Sequence, residues 1–390
     1  MHPILCKLNN ALVTLLREFR AYWVSLFVLS ILVRQLPALS SILQTLGFGA
    51  AVIAVSVAIG WLATELFVRG PRVSANGKAV LITGCDTGFG HNLAVRLATR
   101  EGFQVFAGCL QPDGDGATRL RSAGAAAEGR MHVIPLDVTK EHHVQDALRY
   151  VKANLNGNQL WSVVANAGVN IFLEFEWMRT KDIEFLFDVN VIGVVRIAKA
   201  FLPLLRNSRG RLVLVASYAG RISSSSIVPY SMTKAAVISM SDGLRREMVK
   251  WGLHVSTIEP FYYRTAINPH TFEDMMARFK RDVPENLQRD YGEYPAQSFR
   301  WTLSVLRRIS RPNSDEVVQQ MVHAITDREP KRHYRCDGFA NWIISLALFV
   351  LPSVAQDIAV SFLEPHFQAD EKSGLLVDAT RKSVPPIKTD

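Results

Sequence analysis

Three polar side chains between residues 217 and 234 have the types and spacing needed to move a proton. Tyr230 and Lys234 are four residues apart, which places both on one face of a helix. A free tyrosine has a pKa near 10, and a nearby ammonium lowers it by favouring the phenolate. Ser217 lies at the end of a predicted strand, where its hydroxyl could orient a substrate oxygen. We interpret Tyr230 as a general base that Lys234 activates and Ser217 as the group that positions the substrate.

Each of these residues also has an ordinary explanation. A Tyr and a Lys four residues apart are usually surface residues, and Ser217 could be a turn serine like those of the run 223–226. Only further motifs around them separate the two interpretations.

The stretch from Ala79 to Gly90 has the pattern of a phosphate-binding turn. Four apolar residues precede Thr-Gly-Cys-Asp-Thr-Gly-Phe-Gly at positions 83–90, and helical spacing resumes afterwards. The positive end of a helix binds a dinucleotide pyrophosphate through free backbone N–H groups. We assign Gly84 to a tight turn, Gly88 to the closest approach of the phosphate and Gly90 to close packing of the helix on the strand. Taken alone, three glycines in eight residues could mark only a turn.

Strand and helix patterns alternate from this stretch onward, which predicts an α/β, doubly wound parallel sheet of the Rossmann type. Ligands of such sheets bind beyond the carboxyl ends of the strands, so the polar residues at those ends form the expected site. The predicted strands are 79–82, 104–110, 131–136, 160–164, 211–216 and 254–258, and the predicted helices include 141–151, 182–205 and 230–250.

Composition argues against several classes of function. The 390 residues are 48% apolar and carry a formal net charge of +9, but Lys and Arg are scattered, so we expect no nucleic-acid partner. The four cysteines form no Cys-x-x-Cys pair, which indicates free thiols and neither a zinc site nor a disulfide framework. We expect no bound metal.

Two apolar runs near the N-terminus predict a membrane anchor over residues 1–69. The run 46–68 can cross about 30 Å of hydrocarbon as a helix, and the shorter run 21–34 is a second candidate. A signal anchor explains these runs better than a cleaved signal peptide or a mitochondrial presequence. Residues 70–77 predict a linker to a catalytic domain over residues 78–335.

Three further segments are expected after the predicted sixth strand. Residues 266–311 look irregular and rich in aromatic residues, which predicts a substrate lid. Residues 336–364 form an apolar segment that we expect at the membrane surface or as a re-entrant helix rather than as a third span. The polar tail 365–390 is expected to be disordered.

The motifs together resemble the short-chain dehydrogenase/reductase family over about residues 78–330. Segments 82–90, 106–110, 201–205 and 290–292 are similar to the branch that holds retinol dehydrogenases, 17β-hydroxysteroid dehydrogenase type 2 and 3-hydroxybutyrate dehydrogenase. The motifs that carry the family resemblance are the glycine motif, Asn166-Ala167-Gly168, Asn190, Ser217 and Tyr230-Ser231-Met232-Thr233-Lys234.

The resemblance implies roles for residues beyond the first three. Asn190 would join Ser217, Tyr230 and Lys234 as a catalytic residue by holding a water chain that leads to Lys234, although an asparagine at a helix kink is the ordinary alternative. Asp137 would contact the adenine ring. The implied cofactor-binding residues are Thr83, Gly84, Asp86, Thr87, Gly88, Phe89, Gly90, Asp137, Val138, Asn166, Ala167, Gly168, Tyr230, Lys234, Pro260 and Thr265.

The expected cofactor is NAD rather than NADP. Asp86 places a negative charge where NADP-specific relatives often carry a basic residue, and no Arg or Lys occurs at positions 109–113, after the second strand. A 2′-phosphate would therefore be repelled. The family's usual ribose-binding acid at the end of the second strand is also missing.

Phe261 departs from the family pattern. The family has Pro-Gly before the threonine that closes over the cofactor, whereas this chain has Pro260-Phe261. Phe261 must therefore narrow the expected nicotinamide pocket or send the loop along a different route, and Thr265 keeps the family spacing.

These expectations combine into a membrane-anchored, NAD-dependent dehydrogenase of a secondary or allylic alcohol on a lipophilic substrate, such as a steroid or retinoid. We expect it in the endoplasmic reticulum membrane, in contact with lipid, and as a homodimer. One alternative is a 3-hydroxybutyrate-type dehydrogenase of a mitochondrial membrane, for which Arg264 is the candidate acid anchor. The other is a cofactor-binding scaffold or sensor without turnover.

Overall fold

The computed structural model describes residues 71–265, 267–268 and 271–336, together with 28, 55–57, 59–60, 338, 367–369 and 376–378. The chain divides into two compact units, Met1–Arg72 and Val73–Asp390. Of the first unit, residues 55–57 and 59–60 are helical. Within these described ranges, no helix combines the length and apolar character that a membrane span needs. The predicted segments 21–34, 46–68, 336–364 and 365–390 lie largely outside the described residues.

Parallel strands form the centre of the second unit. In the described part of the chain, seven strands pair in the order β3-β2-β1-β4-β5-β6-β7, all parallel. These strands are β1 (Lys78–Thr83), β2 (Gln104–Cys109), β3 (Met131–Pro135), β4 (Gln159–Ala165), β5 (Arg211–Val215), β6 (His254–Pro260) and β7 (His333–Cys336), with a separate antiparallel pair, β8 (Phe367–Ala369) and β9 (Leu376–Asp378).

Helices cover both faces of this sheet, so β1 is buried on each side. Val80 and Ile82 face one apolar core with helices α1, α2 and α10, and Ala79 and Leu81 face a second core with α3, α5 and α6. The helices are α1 (Gly88–Arg96), α2 (Asp115–Ala126), α3 (Glu141–Ala153), α4 (Thr180–Phe187), α5 (Gly193–Ser208), α6 (Val228–Met248), α7 (Phe272–Asp282), α8 (Glu285–Tyr291), α9 (Tyr294–Ile309) and α10 (Asp315–Thr326).

The predicted doubly wound parallel sheet is confirmed, and the reversal of strand order lies between β1 and β4. The carboxyl ends of β1, β4, β5 and β6 therefore meet at one edge, as a ligand site of this fold requires. The sequence patterns do not predict α2, α10 or β7, whose apolar residues complete the core beside β6 and α1.

Helices α7, α8 and α9 occupy most of residues 266–311, the range in which the sequence predicts a substrate lid. Their aromatic residues form a core of their own around Trp177. The Trp177 ring lies 4.9 Å from that of Phe279 on α7 and 5.9 Å from that of Phe299 on α9, both edge to face. Aromatic residues of this predicted lid therefore pack α7 and α9 against Trp177.

A pair of glycine substitutions tests how tightly α2 packs under the glycine turn. A Cβ on Gly116 would lie 2.0 Å from the carbonyl oxygen of Asp86, so Gly116→Ala should lower the free energy of unfolding by about 1–3 kcal/mol in urea denaturation. Gly243 on α6 has open space around its Cβ position, so Gly243→Ala should raise it by about 0.5–1 kcal/mol. Equal effects of the two variants would contradict this packing.

Candidate active site

A cavity of about 900 Å³ lies at the carboxyl ends of the strands. It brings together most of the residues that the sequence assigns to the site. Three of them, Thr83, Gly90 and Asn190, support the walls without lining the cavity. Those that line it are Gly84, Asp86, Thr87, Gly88, Phe89, Asp137, Val138, Asn166, Ala167, Gly168, Ser217, Tyr230, Lys234, Pro260 and Thr265.

The glycine turn leaves room for an anion at the start of α1. Gly84 and Gly88 have φ values of +70° and +64°, which favour glycine, and a Cβ on Gly84 would lie 2.8 Å from the Cα of Ala167. A Cβ on Gly88 would meet no atom within 4 Å, so this residue borders open space. The N-cap residue Thr87 makes no side-chain capping bond, which leaves the first N–H groups of the helix available to a phosphate.

Gly90 packs against the loop after β4. Its Cβ would lie 2.5 Å from both the Nδ2 of Asn166 and the carbonyl oxygen of Gly84. Asn166 Nδ2 donates to the carbonyl oxygens of Thr83 and Gly84 at 2.9 and 3.0 Å, and Thr83 Oγ1 accepts from the backbone N–H groups of Asn166 and Ala167 at 3.0 Å each. These bonds fix the ends of β1 and β4 side by side.

Asp86 reaches the end of β2. Its carboxylate accepts hydrogen bonds from the backbone N–H groups of Leu110 at 2.9 Å and Gln111 at 2.8 Å. A negative charge from the glycine turn therefore lies at the strand end where the family's ribose-binding acid is missing from the sequence.

Asp137 and Val138 follow β3. Thr139 donates its N–H at 2.9 Å and its hydroxyl at 2.7 Å to one carboxylate oxygen of Asp137. Burial alone would raise the pKa of Asp137, but these bonds outweigh burial and lower it. Val138 packs against α5, where a Cβ on Gly193 would lie 2.7 Å from its Cγ2.

Asn190 lies in a π-helical turn over residues 188–192 between α4 and α5, fully buried. Its Oδ1 accepts from the N–H of Val169 at 2.8 Å, and its Nδ2 donates to the Val169 carbonyl at 2.9 Å and to Thr233 Oγ1 at 3.1 Å. A Cβ on Gly168 would lie 3.3 Å from Asn190 Oδ1 and 3.4 Å from Lys234 Nζ. Asn190 thus secures the loop that faces Lys234.

Ser217, Tyr230 and Lys234 meet at the base of the cavity. Ser217 Oγ accepts from the N–H of Ala219 at 3.1 Å, and its single hydroxyl hydrogen can point either to the Pro260 carbonyl at 3.4 Å or to the Tyr230 oxygen. Burial raises the pKa of Tyr230 to about 12, and the bond with Ser217 opposes this rise. Lys234 Nζ donates to the Val215 carbonyl at 2.9 Å.

Keeping Lys234 charged costs folding free energy, because its side chain is only 3% exposed. Burial lowers its pKa from the ordinary 10.5 to about 8. Its ammonium lies 5.6 Å from the centre of the Tyr230 ring, so the charge remains close to the phenol. The two groups shift in opposite directions for the same reason, the loss of water around each charged form.

Phe261 lines the cavity. Its ring lies edge to face with Tyr218, the residue after Ser217, at 5.1 Å and with Tyr262 at 5.2 Å, and all three line the cavity. The backbone N–H of Phe261 donates to the Cys336 carbonyl at 3.1 Å, which ties the loop to β7. Thr265 also lines the cavity.

The wall farthest along the chain comes from α9, which lies within the predicted lid 266–311 but was not predicted to be a helix. Ser298, Trp301, Thr302 and Val305 line the cavity with spacings of three and four residues. This periodicity is the sequence signal that could have located the wall. Tyr218 and Tyr262 carried no such signal, because their placement depends on long-range packing.

Sequence comparisons identify the family of this chain. The family described as short chain dehydrogenase matches residues 78–276. Estradiol 17-beta-dehydrogenase 2 of Rattus norvegicus is 35% identical over 74% of this chain and 75% of its own length. D-beta-hydroxybutyrate dehydrogenase, mitochondrial, of Rattus norvegicus is 33% identical over 73% and 84%. Retinol dehydrogenase 5 of Mus musculus is 33% identical over 79% and 96%.

Solved structures share the fold. A short chain dehydrogenase/reductase from Burkholderia phymatum in complex with NAD has a TM-score of 0.57 and 22% identity over 74% of this chain and 96% of its own. A short chain dehydrogenase from Burkholderia cenocepacia in complex with NADP has a TM-score of 0.53 and 20% identity over 75% and 100%. The chain belongs to the short-chain dehydrogenase/reductase family and is an oxidoreductase related to steroid, retinol and hydroxybutyrate dehydrogenases.

Proposed function

We propose that this protein is a membrane-anchored, NAD-dependent dehydrogenase that oxidises a secondary or allylic alcohol on a lipophilic substrate such as a steroid or retinoid. The observation that carries the proposal is the convergence of Ser217, Tyr230 and Lys234 on one largely apolar cavity, with the Lys234 ammonium buried. A bound nicotinamide dinucleotide would supply the hydride acceptor.

Each catalytic side chain would act at a defined atom. Ser217 would donate to the substrate oxygen and fix its distance from Tyr230. Tyr230 would take the hydroxyl proton through its phenolic oxygen. Lys234 would offset the effect of burial on that phenol, because its charge favours the phenolate and its position below Gly168 keeps it near the cofactor ribose. Asn190 would hold the Val169 loop in place so that Lys234 keeps this position.

The cofactor residues fit a dinucleotide. The uncapped start of α1 and the open space at Gly88 would receive the pyrophosphate, and Asn166, Ala167 and Gly168 would form the floor. The rest of the cofactor-binding part of the cavity would be lined by Asp137, Val138, Pro260 and Thr265. The carboxylate of Asp86 at the end of β2 favours NAD, because it would accept a ribose hydroxyl and repel a 2′-phosphate.

The substrate half of the cavity favours a large apolar molecule. Phe172, Ile222, Tyr262, Trp301 and Val305 provide aromatic and aliphatic surface there. Two of the related proteins are named for estradiol and retinol, which are molecules of this kind. The apolar run 46–68 supports an anchor in the endoplasmic reticulum membrane, where such substrates partition.

A 3-hydroxybutyrate-type activity is the second candidate, because one relative carries that name. The proposed anchor Arg264 is exposed and does not line the cavity. Among the described residues, Lys234 and Arg308 are the basic side chains that do, and Arg308 is exposed at the rim. A small acid paired with Arg308 would therefore bind at the exposed rim, where water competes for both charged groups.

Replacing Tyr230 tests the proposed chemistry. Tyr230→Phe keeps the ring and removes the proton acceptor, so alcohol oxidation should fall by at least about 10³-fold while NAD affinity stays within about threefold. The full chain in membranes would be assayed for NADH formation with a steroid alcohol, a retinoid alcohol and 3-hydroxybutyrate. Tyr150→Phe, on the exposed face of α3, is the matched control. Full activity of the Tyr230 variant would refute the mechanism, and NAD binding by the wild type without any turnover would favour a sensor.

Replacing Asp86 tests the cofactor assignment. Asp86→Asn keeps the shape of the side chain and removes its charge, so the ratio of kcat/KM with NAD to that with NADP should fall at least about tenfold. Asp146→Asn on α3, outside the cavity, makes the same change in net charge and should leave the ratio alone. Wild-type preference for NADP would contradict the assignment.

Replacing Lys234 tests the cost of burying its charge. Lys234→Met should abolish turnover yet raise the free energy of unfolding by about 1–3 kcal/mol at pH 7, because a folded pKa of about 8 lies below the unfolded value of 10.5. The cost to the wild type is complete below pH 8 and disappears as the pH rises to 10.5, so the difference between the proteins should shrink over that range. Urea denaturation would measure it, with the exposed Lys152→Met variant as control. A variant less stable than wild type at pH 7 would contradict the prediction.

A further inference from the structure

An ion pair with a buried carboxylate joins the turn after Ser217 to the end of β6. Arg221 Nε donates to Glu259 Oε2 at 3.0 Å, and Arg221 Nη2 donates to Oε1 at 2.8 Å, so the guanidinium grips both carboxylate oxygens. Glu259 is 2% exposed. Neither residue lines the cavity, and neither belongs to the motifs that identify the family in this sequence.

The carboxylate of Glu259 has two more partners. Thr257 Oγ1 donates to Oε1 at 2.7 Å, and Nδ1 of His333 on β7 lies 3.2 Å from the same oxygen. Burial alone would raise the pKa of Glu259, but the hydrogen bonds from His333, Arg221 and Thr257 hold it at about 2. Glu259 is therefore a fully hydrogen-bonded anion.

The same cluster extends to α6. Nε2 of His333 lies 3.5 Å from Asp242 Oδ1, and Arg245 donates to that oxygen at 2.9 Å. Asp242 lies on the helix that carries Tyr230 and Lys234. The cluster thus contacts the turn after Ser217, the end of β6 and helix α6.

The Arg221–Glu259 pair connects two segments that determine the position of the Ser217 hydroxyl. Arg221 ends the 3₁₀ turn over Tyr218–Gly220 that follows Ser217, and Glu259 immediately precedes Pro260. Ser217 Oγ in turn donates to the Pro260 carbonyl at 3.4 Å. A shift of the turn against β6 would move the Ser217 hydroxyl relative to Tyr230, and displacements near 1 Å can cost about 100-fold in rate.

We propose that Arg221 and Glu259 are positioning residues, which hold the Ser217 turn against the end of β6 so that the Ser217 hydroxyl and the Phe261 loop keep their distance from Tyr230. This inference rests on the proposed dehydrogenase function. A pair of apolar residues could fill the same space without loss of stability, so the value of the ion pair lies in its fixed two-point geometry.

The test compares variants of the full chain in membranes by steady-state oxidation of the alcohol that the wild type turns over, together with thermal unfolding. Arg221→Gln should lower kcat by about 10–100-fold while the KM for NAD changes less than about threefold. Arg221→Lys keeps the charge without the fork and should recover part of kcat. Because the two residues act as one pair, Arg221→Gln combined with Glu259→Gln should lose no more kcat than Arg221→Gln alone.

Asp282→Asn is the matched control. This carboxylate is also buried and gripped at two points, by Arg281 at 3.0 Å each, but no described residue of α7 lines the cavity. It should lower the melting temperature and leave kcat unchanged. If Arg221→Gln does not fold, Arg221→Lys carries the test, with an expected fall in kcat of about 3–10-fold.

The outcomes separate the inference from the function. Wild-type turnover with an unchanged kcat in the Arg221 variants would overturn the positioning role alone. A kcat that falls only in proportion to stability, as judged against Asp282→Asn, would also overturn it and leave a purely structural pair. Absence of wild-type turnover with any alcohol would overturn the proposed function and this inference with it.

Discussion

The burial of the Lys234 ammonium is the constraint on which the rest of the site depends. A buried charge needs a hydrogen-bond acceptor, and the Val215 carbonyl at the end of β5 provides one. It also needs space, which Gly168 leaves because any Cβ there would press on both Lys234 and Asn190. Asn190 in turn anchors the loop of Gly168 through both polar groups of Val169. The buried charge thus constrains Gly168 directly and Asn190 through the loop that Asn190 anchors.

Parallel strand order brings these groups together from distant parts of the chain. β1 lies next to β4, and β4 next to β5, so the glycine turn, the Asn166–Gly168 loop and Ser217 share one edge of the sheet. The hydrogen bonds of Thr83 and Asn166 then fix the ends of β1 and β4, which strand pairing alone leaves mobile. Strand order therefore brings the site residues near one another, and side-chain hydrogen bonds fix their exact positions.

Sequence patterns predict the parts of this arrangement that are local. The glycine turn, the strand-end Ser217 and the four-residue spacing of Tyr230 and Lys234 are visible within short windows, and the alternation of elements predicts the sheet. Pairs such as Arg221 with Glu259, which are far apart in the chain, have no local pattern, because their partnership exists only after β6 has paired with β5. The helical wall over residues 294–309 was missed for a different reason, since its aromatic residues obscured a regular apolar spacing.

Phe261 shows how a departure from a family pattern can be accommodated. A positive φ would favour glycine, and the φ of Phe261 is not positive, so its backbone conformation suits a residue with a side chain. Its backbone remains bonded to β7, which means that the loop keeps its attachment to the sheet. The ring instead fills space between Tyr218 and Tyr262. The substitution therefore changes the wall that a substrate would contact, while the backbone support of the site is retained.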